Sequence, residues 1–418
     1  MNQKIFLIFA ETCKATALSI IERAALRDKA LYQHQTRCNI TLKGIYIHIP
    51  FCKQLCAYCD FYFSVSLVHK QAMLQAMLQE IALRADYLDH AAPPATLYFG
   101  GGTPTVYTPQ ELGLIINQVK KVFLINDFAE VTVEANPDDL SSQYLLELQN
   151  IGVNRLSIGI QSFNDEHLRW MKRRHTTSQA IDSIQLAKQS GFDNITIDLM
   201  YGLPQLSIDE WKATIDKALA LDVPHLSAYH LTIEPRTLLG KQQQKGLLPS
   251  ISEEESEQQF LLLHQMLTEA GYEHYEVSNF ARTGKQAIHN SLYWQQEPYI
   301  GIGPSAHSFD GHSRQWNVAN NKQYLAALQE GQLLFDYEEL SLTTRYNEYL
   351  LTGLRTAKGV SIPYIKHHFG EAMVGYFLKQ LQQAATQGLI IKENDNCRIP
   401  AEHFFVSDAV IEQLFYAA

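Results

Sequence analysis

The stretch GIYIHIPFCKQLCAYCDFYF, residues 44–63, decides how the chain is read. Its apolar run (Ile45, Tyr46, Ile47, His48, Ile49) reads as a buried strand, and Pro50, with no N–H to give a ladder, ends it. Three cysteines follow with C-x3-C-x2-C spacing: Cys52, Cys56 and Cys59. Soft thiolates converging from one tight loop suit zinc or an iron–sulfur cluster. Structural zinc closes with four ligands, and no fourth Cys or His sits at a finger-like spacing; the nearest following histidine, His69, opens what reads as a helix. Three ligands favour a [4Fe–4S] cluster with one iron open to a small molecule, and zinc or unrelated core cysteines are the alternatives.

At 418 residues the chain exceeds one small core and points to two or three domains. With 46% hydrophobic and 19% charged residues, the composition is that of an ordinary soluble globular protein. The formal net charge of −10 argues against a broad electrostatic grip on nucleic acid. Six cysteines, three of them in one loop, do not make a disulfide scaffold, so a reducing cytoplasm is the expected setting. No run reaches the roughly 20 apolar residues that span a bilayer, which leaves peripheral contact as the only expected relation to a membrane. The N-terminal IFLIFA is short and lacks a secretory cleavage site.

Outward from the cysteine loop, β-type runs at 45–49, 96–99, 130–134, 155–159, 194–199 and 225–230 alternate with helical patterns at 68–87, 109–122, 141–149, 178–190 and 208–220. Six such repeats imply an α/β fold with a parallel sheet and helices packed outside it, as a partial barrel, a closed barrel or a doubly wound sheet. In each of these, chemistry belongs at the carboxyl ends of the strands. The second run ends in Gly100-Gly101-Gly102-Thr103-Pro104, where backbone without Cβ can approach a ligand. The third ends in Glu134-Ala135-Asn136-Pro137, the fourth leads to Gln161, and the fifth carries Asp198. Singly, each of these could be a cap or a surface polar residue; together, at successive strand ends, they form a candidate site.

Beyond the sheet, 252–269 reads as a helix with an acidic first turn and 272–281 as strand-like. His289-Asn290-Ser291-Leu292-Tyr293-Trp294 and a glycine-bearing stretch at 301–309 follow. From about 343 the pattern changes to helices at 346–354 and 364–385, then a hairpin around Asn394-Asp395-Asn396, which suggests a small winged-helix-like domain. Its wing sets Lys392 and Arg398 beside Glu393 and Asp395, so a cover or docking module is expected rather than a DNA reader.

The cysteine loop resembles that of radical S-adenosylmethionine (SAM) enzymes, and more narrowly the family of oxygen-independent coproporphyrinogen III oxidase (HemN) and the haem chaperone HemW. The resemblance implies a partial (β/α)6 TIM-like barrel with a [4Fe–4S] cluster on Cys52, Cys56 and Cys59. The amino and carboxylate groups of SAM would chelate the open iron, and the reduced cluster would cleave SAM to methionine and a 5′-deoxyadenosyl radical. By family position, Gly101, Gly102 and Thr103 would hold the amino end of SAM, and Glu134 and Gln161 would face its ribose. Arg174, with Arg173 as its rival, would meet the SAM carboxylate. Asp198, in DLMYGLP, would face the cofactor, and Tyr58 would cover the adenine. Tyr46 also matches a family position around SAM, with core packing as the alternative.

HNSLYW at 289–294 matches HNxxYW, the motif associated with haem binding in HemW. His289 is then the candidate haem ligand, flanked by Tyr293 and Trp294, while a buried, hydrogen-bonded histidine is the other reading. His307 is a weaker ligand candidate and reads as structural. Phe61 stands where the HemN type has a further cysteine, which favours the HemW branch. The expected organisation is an N-terminal extension at 1–43, unusual for the family, a radical SAM partial barrel at 44–235, a barrel extension with the haem motif at 236–340 and the winged-helix-like domain at 341–418. The function implied is a haem chaperone that passes haem to acceptors such as respiratory enzymes and draws on an electron donor for its cluster. Radical decarboxylation of the propionates of coproporphyrinogen III is the alternative.

Overall fold

The computed structural model describes residues 42–89, 92–249, 252–385 and 388–417. Residues 1–41 of the N-terminal extension lie outside these residues, and with them the helix that their pattern suggests near 15–30 and Cys13 and Cys38, which have no metal-ligand spacing. Six parallel strands form the frame: β1 (Gly44–Ile49), β2 (Thr96–Gly101), β3 (Glu130–Ala135), β4 (Arg155–Gln161), β5 (Ile195–Tyr201) and β6 (His225–His230). They lie side by side in chain order. A doubly wound sheet would reverse its order at a switch point, so this winding is that of a barrel. The barrel stays open. Past β6 comes an antiparallel hairpin, β7 (Glu273–Glu276) and β8 (Asn279–Ala281). Past β1 comes β9 (Tyr299–Ile302), which runs parallel to it, and then β10 (His307–Phe309), β11 (Ser313–Asn317) and β12 (Phe335–Glu339).

The crossover helices are set by local chemistry. Thr108 with Glu111, Thr176 with Gln179 and Ser207 with Glu210 form reciprocal capping boxes, which satisfy orphan N–H groups at three helix starts. The helix Pro109–Val122 buries Leu112, Ile115, Ile116 and Val119, one stripe at helical spacing, against the sheet. Ile45, Ile47 and Ile49 with Leu97, Phe99, Val131 and Val133 are buried on the sheet's helix-facing side. Each such side chain is worth about 1.5–3 kcal/mol of burial. The alternate residues, Tyr46, His48, Tyr98, Glu134 and Asp198 among them, share the other face and fill the barrel with polar and aromatic groups.

The glycine-bearing stretch at 301–309 is explained by close packing. A Cβ on Gly301 would lie 2.2 Å from the His307 carbonyl oxygen, and one on Gly303, at φ +102°, would lie 2.5 Å from that of His48. Beneath it, the buried Glu80 carboxylate accepts from Arg84 Nε at 2.8 Å, Gly303 N at 2.8 Å, Asn317 Nδ2 at 2.7 Å and the Tyr324 hydroxyl.

The C-terminal part holds helices Leu342–Gly353, Ile362–Phe369 and Glu371–Ala385 and a small antiparallel sheet in the order β13 (Val360–Ser361), β15 (Asn396–Arg398), β14 (Ile391–Glu393). The helix expected over 364–385 is broken by Gly370 at φ +88°, and Asn396 opens a strand instead of sitting in the turn. Phe404 and Phe405 reach back to the barrel, against His274 and His230 respectively. No helix among the described residues is long and apolar enough to cross a membrane.

Candidate functional site

The carboxyl ends of the parallel strands open on a cavity of about 520 Å³. Cys52, Cys56, Cys59, Tyr58, Gly101, Gly102, Thr103, Glu134, Gln161, Arg174 and Asp198 all line it. Of the residues singled out from sequence, Tyr46 and the haem-motif candidates His289, Tyr293, Trp294 and His307 do not.

The cysteine loop is pinned from several sides. Cys52 N donates to Ser64 O at 3.0 Å, Ala57 N to Met171 O at 3.0 Å and Gln54 Nε2 to Lys172 O at 2.7 Å. The glycine motif is stitched onto the loop's start, with Gly102 N donating to Ile49 O at 2.8 Å and Thr103 N to Phe51 O at 2.7 Å. A Cβ on Gly102 would lie 2.4 Å from Phe51 O, so only glycine allows this approach. The Thr103 hydroxyl donates to Cys52 Sγ at 3.4 Å and Arg173 to Cys56 Sγ at 3.5 Å. Burial pushes the Cys52 thiol up to about 12 and that of Cys59 to about 11. Without a cation to displace their protons they stay neutral, and a metal cluster is the species that turns such buried thiols into ligands.

Facing the loop is an acidic wall. Burial first, then Asp198, lifts the Glu134 carboxyl to about 7, although the Tyr98 hydroxyl donates to it at 2.8 Å. Burial likewise lifts Asp198 to about 6, against hydrogen bonds from Ser227 and Ser157. Gln161 holds φ +66° where the β4–β5 register shifts, and this turns its amide toward Gly159. A Cβ on Gly159 would lie 2.9 Å from that amide, 3.4 Å from Arg173 and 3.9 Å from Asp198.

The two candidate arginines point apart. Arg173 is the interior one: it donates to Asn136 Oδ1 at 2.6 Å and Gly159 O at 2.5 Å, and its buried Nε has no hydrogen-bond partner among the described residues. Arg174 turns to the rim and pairs with Asp138 at 2.5 Å. Adjacent residues at a helix end point in different directions, and sequence alone does not say which one faces in. Asn136, whose amide donates to Thr103 Oγ1 at 3.2 Å, and Gly159 belong to the site as well. Asn136 was legible as the neighbour of Glu134, whereas Gly159 shows its role only through what crowds it.

The donor set fits a cluster with SAM. Three free thiols share one wall with a cradle that a Cβ would fill, and a guanidinium whose Nε has no partner among the described residues shares the cavity with two carboxyls poised near neutrality.

Tyr46 and His289 sit below the cavity. The Tyr46 ring stacks on Tyr98 at 6.0 Å, and its hydroxyl meets His48 Nδ1 at 3.3 Å, so it packs the barrel's interior. His289 lies on the helix Ile288–Trp294, which closes the amino end of the barrel, and is 1% exposed. Its Nδ1 bonds the Thr96 hydroxyl at 2.8 Å and its Nε2 the Tyr293 hydroxyl at 2.8 Å. Burial holds the imidazole down at about 3. Glu130, the first residue of β3, accepts from the backbone N–H groups of Ile288 and His289, both at 2.9 Å. In this arrangement both ring nitrogens are taken, which is the hydrogen-bonded core role of the two readings given to His289.

Comparison with known proteins agrees with this geometry. Residues 46–218 match the radical SAM superfamily and residues 340–405 the HemN C-terminal domain. The fold superposes on that of coproporphyrinogen III oxidase (HemN) from Escherichia coli with a TM-score of 0.76, at 24% identity over 93% of each chain. The chain is thus a radical SAM protein of HemN-like fold, a class that implies a [4Fe–4S] cluster and SAM. It is 36% identical to heme chaperone HemW of Bacillus subtilis (strain 168), over 84% of this chain and 93% of that protein. It is 33% identical to heme chaperone HemW of Lactococcus lactis subsp. lactis (strain IL1403), over 88% and 96%. The chain belongs to the HemW family.

Proposed function

We propose that this protein is a haem chaperone: it binds haem and passes it to acceptor proteins, respiratory enzymes among them, from a cytoplasmic setting. The observation that carries the reading is kinship along nearly the full chain, since proteins named heme chaperone HemW match 84% and 88% of it and are themselves covered to 93% and 96%. Phe61 supports it. It stands where the HemN type has a further cysteine, and here it is a ring 72% exposed at the cavity's edge.

Cys52, Cys56 and Cys59 would ligate the cluster, with the Arg173 guanidinium offsetting thiolate charge beside Cys56. Bound together, cluster and SAM supply one-electron cleavage of a sulfonium bond, given an electron donor. Gly101, Gly102 and Thr103 would bring backbone to the amino end of SAM, and Arg173, rather than Arg174, would meet its carboxylate. Glu134 and Gln161 would accept and donate at the ribose, Asp198 would face the cofactor, and the Tyr58 ring would shield the adenine from water. Haem ligation by His289 would require the Ile288–Trp294 helix to give up the Thr96 or Tyr293 bond.

One anaerobic preparation tests the reading. Reconstitution should load about four irons per chain, haem titration should give a saturable Soret shift, and coproporphyrinogen III with SAM should yield no protoporphyrinogen IX. Carbon dioxide release at a catalytic rate would overturn it. A Soret shift unchanged in His289→Ala would remove His289 from the iron.

A further inference from the structure

We propose that the HNSLYW helix supports the SAM cradle from below: His289 is a positioning residue that fixes the Tyr98 ring, and through its hydroxyl the Glu134 carboxyl. The proposal rests on the reading of Glu134 as a SAM-facing residue.

Thr96, Tyr98 and Gly100 are alternate residues of β2 and share its interior face. Each has one task in a column that rises from floor to cavity. Thr96 bonds the His289 ring at 2.8 Å. Tyr98 stacks on that ring, with centroids 5.0 Å apart and planes 24° apart, and donates to Glu134 Oε1 at 2.8 Å. A Cβ on Gly100 would lie 2.9 Å from both the Tyr98 ring and Glu134 Oε1, so glycine leaves room for that bond. From the other side, Tyr293 bonds the second ring nitrogen and Glu130 holds the helix backbone. The imidazole is therefore fixed at both nitrogens, and the Tyr98 ring rests on a plane that does not turn.

This gives the motif's histidine a task in the state where it touches no haem. The Tyr98 hydroxyl favours the ionised form of Glu134, whereas burial and Asp198 on β5 oppose it. Tyr46 on β1, Tyr229 on β6 and Tyr293 on the floor helix also feel the Glu134 charge. Loss of the ring's support lets the donor drift, and the carboxylate then forms only at higher pH.

The test follows the Glu134 carboxyl directly in the full chain, by its infrared band, assigned as the one lost in Glu134→Gln. Tyr98→Phe and His289→Ala should raise its titration midpoint by about half to one pH unit. His289→Asn, whose planar amide can keep the Thr96 bond, should return it most of the way. In reconstituted protein the first two variants should also bind SAM about three- to tenfold more weakly near neutral pH. A midpoint unmoved in Tyr98→Phe and His289→Ala, with only a lowered Tm, overturns the proposal. A midpoint that moves as described while no form of the protein, wild type included, binds SAM upholds the support role and refutes the SAM reading of the cavity. Should His289→Ala fail to fold, Tyr98→Phe and His289→Asn decide the matter alone.

Discussion

The two ends of the same six strands treat buried polar groups in opposite ways. At the carboxyl end, burial lifts Glu134 and Asp198 toward neutrality in spite of the hydrogen bonds they accept. At the amino end, Glu130 takes two backbone N–H groups, and His289 and His225 each bond at both ring nitrogens. Carboxyls whose hydrogen bonds do not offset their burial cost stability and suit a ligand site, whereas groups held by backbone and side-chain partners across the floor hold the fold. A buried carboxylate or imidazole thus says little by residue type, and its partners decide what it is for.

Three substitutions probe that contrast, taken from the largest effect down. Cys52→Ser should abolish stable iron uptake, from about four irons per chain to near none, with the fold kept. Retained iron would break the assignment of the open end as the cluster site. At the closed end, Glu130→Ala strips two buried N–H groups of their acceptor and should cost about 3 kcal/mol in denaturant unfolding. A loss below about 1 kcal/mol would show that the floor is not held as described. Glu134→Gln should do the reverse. Its folded value near 7 lies above the ordinary 4.5, so its contribution is present below about 4.5 and is lost as pH rises through 7. Without SAM, the Gln variant should therefore be more stable than wild type by about 1–2 kcal/mol near pH 8 and no more stable near pH 4. A destabilised Gln variant near pH 8 would place Glu134 with the structural groups of the floor.

The frame was legible because several of its strands carry β-branched runs, as at Ile45–Ile49, Val131–Val133 and Ile195–Ile197, and three of its helices open on Ser or Thr with Glu or Gln three residues on. The candidate cavity was legible because strand ends in a parallel barrel converge, so five unremarkable residues gain meaning from their place. What stayed hidden depends on distant partners or on the direction of a side chain. Nothing local told Arg173 from Arg174. Thr96, which occupies one nitrogen of His289, lies 193 residues away along the chain. β13 spans only two residues, too few to show any period, and β9, whose last two residues begin the glycine-bearing stretch at 301–309, shows no sign in the sequence of pairing with β1 as the sheet's seventh parallel strand.

The Glu80 carboxylate has a consequence for how the molecule is assembled. Its acceptor sites are filled from 223, 237 and 244 positions downstream, by Gly303, Asn317 and Tyr324. A fragment cut after β6 would strand that charge with Arg84 alone and would bare the free edge of β1, the strand that feeds the cysteine loop. The segment carrying the thiols is therefore no autonomous folding unit. Its closure is a high-contact-order event that waits for the last third of the chain to be synthesised.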